Sequence, residues 1–190
     1  MKKYTEDELI TIIDERLEDW IFADGNHACD RHMNVDVKTL KNRVDKNGAK
    51  YSSTFTDTNN GDDIIREIRY RLIRNIANIT TWVNESNNDV YCLRAYIPYN
   101  IKGYTYSLSN QANNDGIQEV KKYVIVLNKK YASPFYMVTA YPSEYISQFT
   151  QRSVTKEANT EGTVSTQKRQ GLGTYSRSTT KGHCVLCATY

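Results

Sequence analysis

The residues able to do chemistry fall in three short stretches. GNHACDRHMNVDVKTLKNRV (residues 25–44) carries His27, His32 and Arg43, YMVTAYP (136–142) carries Thr139 and Tyr141, and GHCVLC (182–187) carries His183, Cys184 and Cys187. An imidazole gives or takes a proton near neutral pH. A guanidinium holds a phosphate through two parallel hydrogen bonds. With a threonine and a tyrosine hydroxyl added, the set suits phosphodiester chemistry without a metal ion. The cysteines offer a rival. Cys184 and Cys187, with His27, Cys29 or His32, are enough soft ligands for a zinc site. A histidine that ligates zinc cannot shuttle protons, so the two readings exclude each other at His32. One CxxC without a second is a weak zinc signal, and free thiols on a loose tail are the plainer reading. Cys92 alternates with tyrosines and is expected in the core.

These residues need elements to position them. Residues 5–22 have the spacing of an amphipathic helix, with Thr5 and Glu8 as a capping box and Leu9, Ile12, Ile13, Leu17, Trp20 and Ile21 on one stripe. A shorter helix is expected over 36–45, capped by Asn34 or Asp36, with Arg43 at the edge of its inner stripe. A single long helix is expected over 62–84, where Ile65, Ile68, Leu72, Ile76, Ile79 and Val83 step by three and four. Strands follow at 90–97, 103–108, 120–128 and 134–142, the last two as an antiparallel hairpin. Alternation along the last strand predicts Phe135, Met137, Thr139 and Tyr141 on one face. Helices first and strands later predict an α+β fold, with N-terminal helices packed on a C-terminal antiparallel sheet.

Composition bounds the rest. Of the 190 residues 39% are hydrophobic, a low share for a chain that packs throughout. The deficit lies after residue 150, where serine, threonine, glutamine, glycine and charge dominate. Six basic and two acidic residues give 151–190 a charge of +4, against +3 for the whole chain. We expect an N-terminal amphipathic helix (1–23), a folded domain (24–150) and a polar, basic, disordered tail (151–190) able to add non-specific phosphate affinity. The fifteen tyrosines suit strands and also offer rings to stack. No apolar run reaches a membrane span, and the acidic, interrupted N-terminus does not read as a signal peptide.

Taken in order, GNHACDRHMNVDVKTLKNRV, then YSSTFTD, then a long helix ending near Trp82, then strands closing on YMVTAYP resemble one family. It is the RNase A-like toxin domain at the C-terminus of bacterial contact-dependent growth inhibition (CdiA) proteins. The resemblance covers about 25–142. That family has a GxHxxxxH segment leading into a helix with an arginine, an SSF-like segment before a long helix, and a closing strand ending in T-A-(Y/F)-P. Where it often has glycine two residues after the second histidine, this chain has Asn34, which tolerates unusual backbone angles. The resemblance implies a metal-independent endoribonuclease without cofactor. It cleaves RNA by attack of the 2′-hydroxyl, giving a 2′,3′-cyclic phosphate. His32, Arg43, Thr139 and Tyr141 match the family's site residues, and His27 matches the first histidine of the motif. The second proton-transfer group stays open between His27, Tyr141 and water. The resemblance also implies an RNA substrate, a cognate immunity protein, and delivery to act in a target-cell cytoplasm. The alternatives are a non-catalytic RNA- or protein-binding module and a zinc-organised interaction domain.

Overall fold

The computed structural model describes residues 2–23, 27–108, 116–130 and 132–143. The expectations for the 151–190 tail and for Cys184 and Cys187 lie outside these residues. The described residues fall within one compact unit, Met1–Ile146.

Among the described residues, five helices and six strands follow in the order α1 (Glu6–Phe22), α2 (His27–His32), α3 (Val37–Asp45), β1 (Ser52–Thr56), α4 (Asp62–Arg74), α5 (Ile76–Glu85), β2 (Val90–Tyr96), β3 (Lys102–Tyr106), β4 (Ile117–Val120), β5 (Lys122–Asn128) and β6 (Tyr136–Pro142). The architecture is α+β, as the order of patterns predicts. α1 opens with the expected capping box: the Glu8 amide donates to Thr5 Oγ1 at 3.2 Å, and the Thr5 amide donates to Glu8 Oε2 at 2.9 Å. Its Leu9, Ile13, Leu17 and Ile21 are fully buried. α3 is capped by Asp36, whose carboxylate accepts from the Thr39 amide at 2.9 Å.

Four expectations need correction. The long helix over 62–84 is two helices, broken at Asn75. The Asn75 side chain donates to the Arg71 carbonyl at 2.8 Å, an alternative to the helical ladder that asparagine readily takes. The strand expected over 120–128 also divides. β4 pairs with β3 and β5 pairs with β2, so the chain passes between sheets at Lys121. There are accordingly two three-stranded antiparallel sheets, β1-β3-β4 and β2-β5-β6, in place of one. Finally, β1 and the short helix α2 appear where no element is expected, and β1 lies among the helices in sequence. The expected hairpin of the last two strands is present as β5–β6.

The main core lies where α1, α4 and α5 cover one face of β2-β5-β6. Ile68, Leu72 and Ile79 meet Leu93, Ile125, Leu127 and Met137 there. Trp20 and Trp82 pack against Phe135, with ring centroids 5.5 and 6.0 Å away. The two sheets approach at Gly103, where a Cβ would lie 2.3 Å from Ile97 Cδ1 and 3.0 Å from Pro142 Cβ. Only a residue without a side chain allows this approach.

Candidate active site

The other face of β2-β5-β6 is not covered by those helices. Its side chains follow from the register. Cys92 pairs with Val126 and Val126 with Thr139, while Arg94 pairs with Val124 and Val124 with Tyr141. Paired residues of antiparallel strands project to the same face. Two rows therefore cross the sheet, each beginning at β2 and ending at β6 in a hydroxyl-bearing residue.

Thr139 and Tyr141 reach this face by an irregularity. The β5–β6 register shifts between Val126 and Leu127, so Val138 is an extra residue on β6. Strict alternation would put Phe135 and Met137 beside Thr139 and Tyr141, and that expectation is overturned. Phe135 and Met137 enter the helix-covered core, whereas Val138 and Tyr141 join Val124 and Val126 on the opposite side. The bulge allows β6 to be core at its start and site at its end. Thr139 Oγ1 is buried with no hydrogen-bond partner among the described residues. A buried hydroxyl left unmatched costs about 1–3 kcal/mol, so the arrangement is stabilising only if something else completes it.

His32 arrives from the last residue of α2, which packs on both β6 and β1. Its ring lies against that of Tyr141, centroids 5.5 Å apart and tilted by 39°. On its other side, Nδ1 is 3.0 Å from the Ser53 carbonyl and 3.3 Å from Ser53 Oγ. A carbonyl only accepts, so Nδ1 carries the hydrogen. In the neutral ring Nε2 is then the basic nitrogen. The segment after His32 is pinned to β1 by the Asn34 amide on the Phe55 carbonyl (2.8 Å) and the Val35 amide on Thr54 Oγ1 (2.9 Å). Asn34 has a φ of 51°, in the left-handed region. This is the backbone need expected where the resembling family has glycine, and asparagine meets it.

Arg43 lies beside this segment, and its guanidinium bonds to the backbone of α2. Nη1 donates to the Arg31 carbonyl at 2.6 Å and Nη2 to the Asp30 carbonyl at 3.0 Å. The fork thus satisfies carbonyls of the last turn of α2, which otherwise lack intrahelical donors. Partial burial, then the nearby Arg31 charge, lower the Arg43 pKa from its ordinary value. Burial, with a smaller contribution from Asp30, raises that of the Cys29 thiol, which disfavours the thiolate a metal would need. The His27 side chain lies outside the described residues.

The structure thus brings together His32, Tyr141 and Thr139, with Arg43 fastening the helix that carries His32. Two further residues belong to this surroundings and were passed over in the sequence. Ser53 fixes the tautomer of His32, and no sequence pattern marks a backbone carbonyl for that purpose. Arg94 shares a row with Tyr141. Cys92, expected in the core, shares the face of Arg94 and packs, partly buried, against Val124 and Val126, whereas Leu93 enters the helix-covered core with Tyr91 and Ala95 packed against it.

Comparison with known proteins identifies a family and a similar solved structure. A family model described as the bacterial CdiA-CT RNAse A domain matches residues 26–142, more than half of the chain. Among solved structures, a chain from the crystal structure of the CdiA-CT/CdiI complex from Y. kristensenii 33638 is similar at 21% identity. The match covers 60% of this chain and 96% of that one, with a TM-score of 0.48. No curated protein matches. No helix among the described residues is long and apolar enough to cross a membrane. The chain belongs to the bacterial CdiA-CT RNAse A domain family, whose members are toxin domains of ribonuclease type.

Proposed function

We propose that this domain is a metal-independent endoribonuclease that cleaves RNA through its own 2′-hydroxyl. In this reading His32 Nε2 takes the 2′-hydroxyl proton as the 2′-oxygen bonds to phosphorus. The bond to the 5′-oxygen then breaks, the Tyr141 hydroxyl donates a proton to that departing oxygen, and solvent water carries the proton held by His32 back to Tyr141, restoring both groups. The products are a 2′,3′-cyclic phosphate and a 5′-hydroxyl. Thr139 Oγ1 donates to a non-bridging phosphate oxygen, a contact worth most where water is excluded. Arg43 contributes positive charge near the phosphate while holding α2 in place.

One observation carries this reading. A histidine from α2 and a tyrosine from β6 meet at 5.5 Å, on the face where the unmatched Thr139 hydroxyl is buried. An oxyanion would supply the partner that Thr139 lacks. The family reading adds delivery into a target-cell cytoplasm and a cognate immunity protein that blocks the site.

Digestion of total RNA in EDTA tests the proposal. The full chain is expected to degrade RNA and leave DNA intact, His32→Ala to abolish degradation while staying folded, and Tyr141→Phe to slow it. A pure, folded chain that retains RNA on a filter without cleaving it would replace the enzyme with a binding module.

A further inference from the structure

The face of β2-β5-β6 that carries Thr139 and Tyr141 extends beyond the residues used above; Val124, Val126, Thr139 and Tyr141 are buried on it, and it becomes exposed at Tyr96. Counting outward from Thr139 and Tyr141, the row of Tyr141 ends in Arg94 on β2. The next row begins with Tyr96, paired with Lys122 of β5, whose carbonyl accepts from the Ser143 amide at 3.0 Å. Arg94 and Tyr96 are two residues apart on β2, and Lys122 and Val124 two apart on β5, so all four share one face. Neighbouring strands are about 4.8 Å apart and alternate residues about 7 Å apart. The Arg94 backbone is therefore about 10 Å from that of Tyr141, across the sheet, and Lys122 lies in the next row, on the middle strand β5 at the sheet's end. Tyr96 is 67% exposed, and Lys122 Nζ sits 5.6 Å over its ring centroid. The floor between the cations and the site is apolar, made by Val124, Val126 and Cys92.

The half-buried Arg94, with its Nε buried, the part-exposed Lys122 and the exposed ring of Tyr96, in register with the threonine and tyrosine proposed for catalysis, form the kind of edge that can track a single nucleic-acid strand. Cations take phosphates and aromatic rings take bases, without need of sequence. We infer that Arg94, Lys122 and Tyr96 form an RNA-docking track leading from the catalytic site. Arg94 and Lys122 bind phosphates flanking the scissile one, and Tyr96 takes a neighbouring base. The inference rests on the ribonuclease reading for its substrate class, but it concerns binding, and it can be tested without cleavage.

The test is a fluorescence-anisotropy titration of the full chain with a fully 2′-O-methylated RNA 12-mer of mixed sequence, which has no free 2′-hydroxyl to attack. Affinity is measured from 50 to 200 mM salt. Each phosphate contact on a single strand contributes about 0.7 to the slope of log affinity against log salt. Lys122→Gln is expected to make that slope shallower by about 0.7, and Arg94→Gln/Lys122→Gln by about 1.4. The matched pair Arg16→Gln/Arg74→Gln, on exposed positions of α1 and α4, is expected to leave it unchanged. The same C-terminal residues are present in every variant, so their contribution cancels. Lys122→Gln alone decides the matter should the double variant fold poorly. Slopes for both track variants equal to that of the control pair would overturn the inference and release this face for another partner, an inhibitory protein included. Failure of the wild-type chain to cleave ordinary RNA, with the slope changes intact, would instead remove the catalytic reading and leave the track standing.

Discussion

On one face of β2-β5-β6, Leu93, Ile125, Leu127, Met137 and Ala140 are buried under three helices. On the other, the same three strands present Arg94, Thr139 and Tyr141 around a strip of valines. Two tyrosines make the contrast sharpest. Tyr123 points into the helix-covered side, where its hydroxyl donates to Glu67 Oε1 at 3.0 Å and Glu67 also accepts from Arg71 Nε at 2.6 Å. Tyr141 lies against a histidine on the opposite side. The first phenol has its partner inside the fold and belongs to stability. The second stands beside Thr139, whose hydroxyl has no partner among the described residues, and is the one proposed for chemistry. A period of two lets one strand serve both ends, and the bulge at Val138 sets where β6 changes from one to the other.

Substitutions on the two faces should therefore separate activity from stability. The largest effect is expected from His32→Ala, a loss of RNA cleavage of about 10²–10⁴-fold, the usual contribution of a general base. Its circular dichroism spectrum should remain that of the wild type. Thr139→Val keeps the shape and removes the hydroxyl. We expect cleavage to fall by about 10²-fold, as for loss of one donor to a developing oxyanion, and the melting temperature to rise by a few degrees because a buried unmatched group is gone. A Thr139→Val chain that loses both activity and stability would break the contrast, since it would make the hydroxyl part of the fold. Ile125→Ala, on the covered face, should cost about 2–5 kcal/mol in urea denaturation. Its cleavage rate per folded molecule should stay close to wild type.

The smallest expected effect is a pH dependence. Burial, and then Glu67, push the Tyr123 phenol well above its ordinary value. In the unfolded chain it titrates near 10. Above that pH the unfolded state has lost a proton that the native state keeps, so stability falls as pH rises. Burial raises Tyr91 in the same direction. Tyr123→Phe should flatten, without abolishing, the decline in urea midpoint between pH 9 and 11. A decline as steep as that of the wild type would mean that Tyr123 is not held neutral by its site.

Much of this division was legible in the sequence, and the rest was hidden for physical reasons. Apolar stripes with a 3.6 period located α1, α3 and α4, because burial of one face dominates their stability. Asn75 concealed the end of α4, because its local hydrogen bond competes with a ladder that hydrophobic spacing alone would continue. The change of sheet at Lys121 was hidden because the expected strand, 120–128, took in Val120 with β5, while the rest of the four-residue β4, Ile117–Val120, carries too little apolar alternation to be read. β1 was missed because Ser52, Ser53 and Thr54 are buried polar residues, which hydropathy assigns to a surface. Among the site residues, His32, Thr139 and Tyr141 were named from motif and resemblance. Their meeting was not derivable from spacing, and strict alternation misassigned the company that Thr139 and Tyr141 keep. Arg43 was named for a phosphate, and nothing in the sequence showed that its guanidinium also bonds to the Arg31 and Asp30 carbonyls at the end of α2.

The measurement nearest the centre of the account is phosphorus NMR of a mixed dinucleoside monophosphate library incubated with the domain in EDTA. The account predicts accumulation of a 2′,3′-cyclic phosphate by the wild-type chain, none from 2′-deoxy substrates, and none with His32→Ala. Products ending in a 5′-phosphate, or cleavage that survives loss of the 2′-hydroxyl, would contradict it.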